Sequence, residues 1–222
     1  MTIEQLKEKM PWIDVTEWLQ HDNGGGWKHR TATVPDTVKV PHDASIGNDA
    51  SIGNRASIGN RASIGDGASI GYRASIGDDA SIGNDAYIGD DASIGDRASI
   101  GDGASIGNDA SIGYRASIGD GASIGNRASI GDGASIGNDA SIGNDMKSVL
   151  CIQASGHQIT TCVPTRDVQI GCHRHSIKWW LQHYEAVGQI EYYTSNQIAE
   201  YGALLLAVKA WLDINHPNTQ EK

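Results

Sequence analysis

The chain has 222 residues, a formal net charge of −10, 28 glycines and no phenylalanine. That length allows one or two domains with real cores. The negative balance argues against a general nucleic-acid binder, which needs Lys and Arg against phosphates, and no apolar run of about 18 residues offers a membrane span.

Residues 1–31 read as a helical cap. Thr2 and Gln5 have capping-box spacing, and Ile3, Leu6 and Met10 share one helical face before Pro11 breaks it. Asp14 to Gln20 are expected to add a turn or two with Val15, Trp18 and Leu19 inward. The loop Asn23 to Gly26 then delivers Trp27 towards the first repeat units. Charges stand where a secretory signal needs an apolar run. The cysteines, Cys151, Cys162 and Cys172, are odd in number and make a poor disulfide framework. A reduced, cytoplasmic setting is the expectation.

From Ala44 to Asp145 the chain is 17 copies of a hexapeptide, Ala-Ser-Ile-Gly plus two variable residues, with Tyr87 once replacing Ser. Two looser units, Ala32 to Thr37 and Val38 to Asp43, precede them in frame. Side chains alternate in extended chain, so Ala and Ile face one way and Ser the other. Gly is expected to open a turn through positive φ. The variable pair, drawn from Asn, Asp, Arg, Gly and Tyr, suits a solvated turn. Such short strands must pair with copies of themselves about 4.8 Å away, and the open ends of the stack need caps.

These units resemble the hexapeptide repeat of left-handed parallel β-helices. The resemblance implies a triangular prism over residues 32–145 with three units per coil, hence about six coils, and packing as a parallel trimer. Sorted three units apart, one edge carries a single Asp in every unit, from Asp49 and Asp66 to Asp120 and Asp139. The other two edges mix Arg with Asp. Solvated turns explain that pattern better than a cation site. The Ser faces are similar to the hydroxyl arrays of ice-binding β-helices, but Ser lies on all three faces, so ice binding is a lesser alternative.

Enzymes of the class are mainly acyltransferases, which resemble one another in a catalytic His near a coil and a loop excursion; others are similar to carbonic anhydrases and hold zinc with three His. From Ala44 to Asp145 there is no His, Lys or Cys and no loop insertion. His42, in a turn beside Asp43, is the one coil His.

Residues 146–222 read as a small α+β domain, giving a mainly β chain of three parts. Strands are expected at "SVLCIQ", "QITTCVP" and "DVQIGC". Ser176 can cap a helix with Ile177, Trp180, Leu181 and Tyr184 on one face. Thr194 and Gln197 can box a second, with a stripe of Ile198, Tyr201, Leu205, Val208 and Leu212. Seven aromatics, Trp179, Trp180, Tyr184, Tyr192, Tyr193, Tyr201 and Trp211, exceed what two short helices hide, which argues for a subunit interface.

The densest chemistry is "IGCHRHS". Cys172 and His175 have a zinc-like spacing, with His173, Cys151 and Cys162 as possible companions, but no second tight pair supports a metal. His173, Arg174, His175, Trp179, Trp180 and Tyr184 are therefore expected to bind a ligand or partner. No catalytic residue, metal or cofactor is assigned.

The order "GGGW", "TATVPDTVKV", hexapeptides, "IGCHRHSIKWWLQHYEAVG", "QIAEYGALL" resembles a group of hexapeptide-repeat proteins of tailed phages and prophages. That resemblance implies a non-enzymatic, oligomeric β-helical scaffold in the cytoplasm of a bacterial host. Its C-terminal domain would bind a host protein or a small signalling molecule, with an anti-defence role. The alternative is a hexapeptide acyltransferase relative that binds acyl-CoA between subunits.

Overall fold

A computed structural model describes residues 2–163 and 166–215, without the side chains at 9, 147–149, 151, 153, 162, 163 and 215. The chain divides into two compact units, Met1–Asp145 and Met146–Lys222.

The first unit opens with α1 (Ile3–Lys9). Its capping box forms as the spacing predicts: Gln5 N donates to Thr2 Oγ1 at 3.3 Å, and Thr2 N donates to Gln5 Oε1 at 2.8 Å. A 3-10 turn over Val15–Glu17 leads into β1 (Trp18–Gln20), which pairs antiparallel with β2 (Trp27–His29). Because β1 is a strand, neighbours alternate. Trp18 goes in and Leu19 is 49% exposed, so the expectation of an inward Leu19 is corrected. Leu6, Trp18 and Trp27 form a buried cluster with Ile3, Met10 and Ile13 against it.

Then come seventeen two-residue strands, β3 (Ser45–Ile46) to β19 (Ser141–Ile142), one per hexapeptide. From β3 to β16 each pairs in parallel with the strand 18 residues on, as Ser45 with Ser63 and Ile46 with Ile64. Eighteen residues are three units, so the chain winds a left-handed β-solenoid of about six turns with three parallel sheets. Its interior is Ile and Ala: Ile76, Ile94 and Ile100 are each 2% exposed, and Ala68, Ala104 and Ala122 are fully buried. The looser units join the same core through Val38 and Val40, and Thr33 bridges Ser51 in parallel. At the first edge β2 pairs in parallel with β3, so the β1–β2 hairpin covers what would be an open sheet edge.

Two details of the turn differ from expectation. The repeat glycine is not the positive-φ residue. That residue is the second variable one, which lies at φ between 54° and 67° in all 17 units, 13 of them non-glycine. The repeat glycine answers to close approach instead. A Cβ on Gly107 would lie 2.5–2.7 Å from Asn126 Oδ1, Asn126 N and Gly125 C of the next coil. Ser45 also departs from the outward-Ser pattern, being 2% exposed while Ser51 and Ser57 are exposed. It lies on the outer face, where residues of the N-terminal cap cover it.

The second unit is an antiparallel sheet in the order β20 (Lys147–Gln153), β21 (Gln158–Val163), β22 (Asp167–Ile170) and β23 (His173–Ser176), followed by α2 (Ile177–Ile190) and α3 (Ser195–Asn215). The sequence reading ended its strands at Cys172. The turn at Gly171, with φ 56°, instead sends "HRHS" back as the edge strand β23. Ser176 Oγ caps α2 by accepting from Trp179 N at 3.2 Å. Thr194 and Gln197 form the reciprocal box at the start of α3. Ile159, Val168 and Ile170 of the sheet pack on Ile177 and Trp180 of α2 and on Tyr201, Leu205, Val208 and Leu212 of α3. Trp180 Nε1 donates to Val168 O at 2.8 Å. This packing takes in most of the aromatics: of the seven in this unit, Tyr192 alone is exposed, at 94%. The aromatic-surplus argument for an interface is corrected accordingly.

Candidate functional site

On the prism edges the first variable residue does a backbone job. Its side-chain oxygen accepts the N–H of the matching residue one coil earlier. Asn48 N donates to Asp66 Oδ1 at 2.7 Å, Asp66 N to Asn84 Oδ1 at 2.9 Å, Asn84 N to Asp102 Oδ1 at 2.7 Å and Asp102 N to Asp120 Oδ1 at 2.9 Å. Asn and Asp serve alike because both present an sp² oxygen at that reach. Tyr72 and Tyr114 cannot, and each is instead met by an arginine, Arg55 Nη1 at 2.9 Å and Arg97 Nη1 at 3.1 Å. The ladder of carboxylates is thus a structural spine. Arg61 with Asp79 and Arg127 with Asp145 add exposed ion pairs between coils, and each carboxylate raises its guanidinium's pKa by hydrogen bonding and by charge.

His42 sits at the start of the first regular coil. Its Nδ1 lies 3.0 Å from Asp43 Oδ1, with both side chains more than half exposed. Gly25, at φ 73°, opposes Pro41 across an isolated bridge, and a Cβ there would lie 3.9 Å from His42 Cδ2. The glycine loop therefore runs beside the imidazole without crowding it. A carboxylate on one ring nitrogen fixes the orientation of the ring.

In the second unit a cavity of about 50 Å³ lies between the β22–β23 turn and the two helices. Of the residues expected to bind, His173, Trp180 and Tyr184 line it. Arg174 instead faces Asp167 at 3.6 Å, and His175 stacks on Trp179 at 3.6 Å, with His183 on the same indole at 4.4 Å. The sequence reading missed His157, Glu191, Tyr193 and Tyr201, which also line the cavity. They come from three places in the chain, the turn before β21, the α2–α3 connection and α3, so no spacing announces them. His173 Nε2 meets Glu191 Oε1 at 3.1 Å, and His157 Nδ1 meets the Tyr193 hydroxyl at 2.5 Å. Burial, then the neighbouring Tyr201, pushes the Tyr193 pKa up to about 12. Cys172 is exposed with a free thiol, while the side chains of Cys151 and Cys162 lie outside the described residues. Among the described residues no three His, Cys, Asp or Glu gather as a metal set, and no helix is long and apolar enough to cross a membrane.

The repeat matches the family profile described as bacterial transferase hexapeptide (six repeats) over residues 73–108 and 85–119. This supports placing the coils in the hexapeptide-repeat superfamily. No curated protein sequence matches the chain. Among solved structures, the chain is similar to a candidate acetyltransferase of Bacillus cereus (20% identity, 61% of this chain and 80% of that one, TM-score 0.51). It is also similar to a hexapeptide transferase family protein of Anaplasma phagocytophilum (16% identity, 81% and 90%, TM-score 0.51). The acetyltransferase domain of PglB from Neisseria gonorrhoeae, in complex with acetyl coenzyme A, matches less well (22% identity, 51% and 54%, TM-score 0.38). The expectation of a non-enzymatic scaffold with an anti-defence role is corrected by these neighbours. The two at TM-score 0.51 are a candidate acetyltransferase and a transferase-family protein, which favours the transferase alternative over the scaffold.

Proposed function

We propose that the chain is a relative of the hexapeptide acyltransferases that binds acyl-CoA along its prism, between the subunits of a trimer, in the bacterial cytoplasm. The observation that carries the reading is the 18-residue coil register, whose prism is similar to transferase-family structures at TM-scores of 0.51. Trimeric packing and the acyl-CoA ligand are what the family resemblance implies. His42 is the base in this reading. Asp43 holds Nδ1, and Nε2 takes the proton of an acceptor hydroxyl or amine as that atom attacks the thioester carbonyl. CoA thiolate leaves and is reprotonated.

In the same reading the chain works in three parts, residues 1–31 as cap, 32–145 as prism and 146–222 as a smaller binding domain. His173, Trp180 and Tyr184 belong to the ligand pocket of the binding domain. Arg174, His175 and Trp179 form a separate surface.

Titration calorimetry with CoA, and thiol release from acetyl-CoA with a panel of amines and alcohols, test the reading. His42→Ala is expected to lower transfer by about a hundredfold or more while CoA affinity stays the same. Light scattering of the full chain is expected to give a trimer. A monomer that does not bind CoA overturns the proposal.

A further inference from the structure

Between the N-terminal cap and the outer prism face lies a groove of about 390 Å³. One wall is aromatic. Trp18 is buried, with the His29 ring edge-on to it at 5.8 Å, while Trp12 at the rim is 79% exposed. Nothing in the fold of this unit needs a tryptophan at position 12, because the cap core is already made by Leu6, Trp18 and Trp27.

The floor is polar. Ser45 is 2% exposed, and the described partner of its hydroxyl is Ser63 Oγ at 3.5 Å. A formed O–H···O bond spans about 2.5–3.0 Å. Ser45 is therefore a buried hydroxyl without a well-made partner, lining the groove beside Ser63. Such a group is costly unless something completes it.

The groove is also negative. Asp14, Glu17 and Asp66 line it. Arg30 neutralises Glu17 in an ion pair. The side-chain and backbone hydrogen bonds from Thr16 hold the Asp14 carboxyl below its usual range, so it is ionised at neutral pH. Asp66 gives Oδ1 to Asn48 N at 2.7 Å and keeps a second oxygen on the same carboxylate. Indole faces, carboxylates and hydroxyl acceptors together suit one kind of ligand, a cation that carries N–H donors on an apolar body.

We propose that this groove binds a primary ammonium ligand with an aromatic or aliphatic body. The ammonium sits between Asp66 and the Ser45–Ser63 hydroxyls, and the body lies on Trp12 and Trp18. The site rests on the N-terminal unit alone and stands whether or not the chain transfers acyl groups.

The test uses the full chain, with phenethylammonium chloride as probe and 2-phenylethanol as its uncharged counterpart. Binding is read by calorimetry and by tryptophan fluorescence. Phenethylammonium is expected to bind with a Kd of about 1 mM, and 2-phenylethanol several-fold more weakly. Asp66→Asn removes the charge but keeps the amide-accepting oxygen, as Asn84 does one coil on. It should weaken binding about three- to fivefold. Trp12→Ala, at an exposed position, should do so by a similar factor. Both variants should melt like the parent. No saturable binding, equal binding of the alcohol, or unchanged affinity in both variants each overturns the proposal.

Discussion

At the residue scale, the repeat reserves its two special positions for different physical reasons. The invariant glycine keeps a Cβ out of the next coil, and the second variable position holds the left-handed backbone. One turn separates the two effects. Gly107→Ala places its Cβ 2.5–2.7 Å from the turn of the next coil, two of the three nearest atoms being backbone. The cost should be about 1–3 kcal/mol, as for other overpacked sites. Asp109→Gly, two residues on at φ 57°, relieves a strained left-handed residue and should be neutral or stabilise by up to about 1 kcal/mol. Denaturant melts of the two variants check both signs. Tyr193 offers a residue-scale test in the second unit. Its pKa is raised to about 12, so the fold favours the neutral phenol. A raised acid pKa gives stability that is complete below pH 10 and is lost as pH climbs through 12. Phenolate absorbance should therefore show one tyrosine ionising well after the exposed ones, and Tyr193→Phe should abolish that late step.

At the element scale, strands of two residues are held by what lies between them. Backbone bonds such as Ser45 N to Ala62 O at 3.0 Å and Gly47 N to Ile64 O at 2.9 Å join coils along the faces. The Asn/Asp side chains join them again at the edges. The acid is not the active property there. Asp120→Asn should leave stability unchanged or slightly raised, because Asn126 accepts from Asn108 N at 2.8 Å in the same way. Asp120→Ala removes the acceptor of Asp102 N and should cost about 0.5–1.5 kcal/mol. Thermal melts of the pair decide between a charge ladder and a hydrogen-bond ladder, since a charge ladder would make both variants behave alike. The elements that end the stack obey ordinary capping rules. Thr2 with Gln5, and Thr194 with Gln197, are boxes of the same design at the starts of two helices.

At the scale of the whole molecule, legibility tracks the range of the interaction. Period, alternation and capping boxes act over a few residues, so the prism core, α1, α2 and α3 are readable in the sequence. The amide–carboxylate ladder spans 18 residues but repeats, so the residue pairs are visible although their bond is not. The cavity of the second unit joins His157 to Tyr193 across 36 residues with no repeat, and nothing local marks it. The groove under the cap is likewise invisible until β1 and β2 fold back on the first coil. Uniform coils also leave register to the ends, because a slip by one coil replaces each Ile with another Ile. The β2–β3 pairing of Trp27 with Ser45 fixes the frame at one end. The middle should therefore tolerate removal of whole units. Deleting Ala92–Asp109 takes out one coil and rejoins Asp91 to Ala110. Deleting Ala104–Asp109 takes out one unit and shifts the edges against one another. After the shorter deletion Asp90 N meets Tyr114 and loses its acceptor, while Asp96 N, opposite Tyr114 before, now meets Asp120 and gains one. Those two changes cancel, and the one net loss is the bond from Asn108 N to Asn126 Oδ1, which leaves with the deleted unit, so that variant should melt close to the parent. The longer deletion should melt only a few degrees lower, as expected when stability is a sum over near-identical neighbours. Circular dichroism melts of the three chains make the comparison. Collapse of the six-residue deletion alone would mean that the identity of each edge, and not the ladder common to all three, holds the prism together.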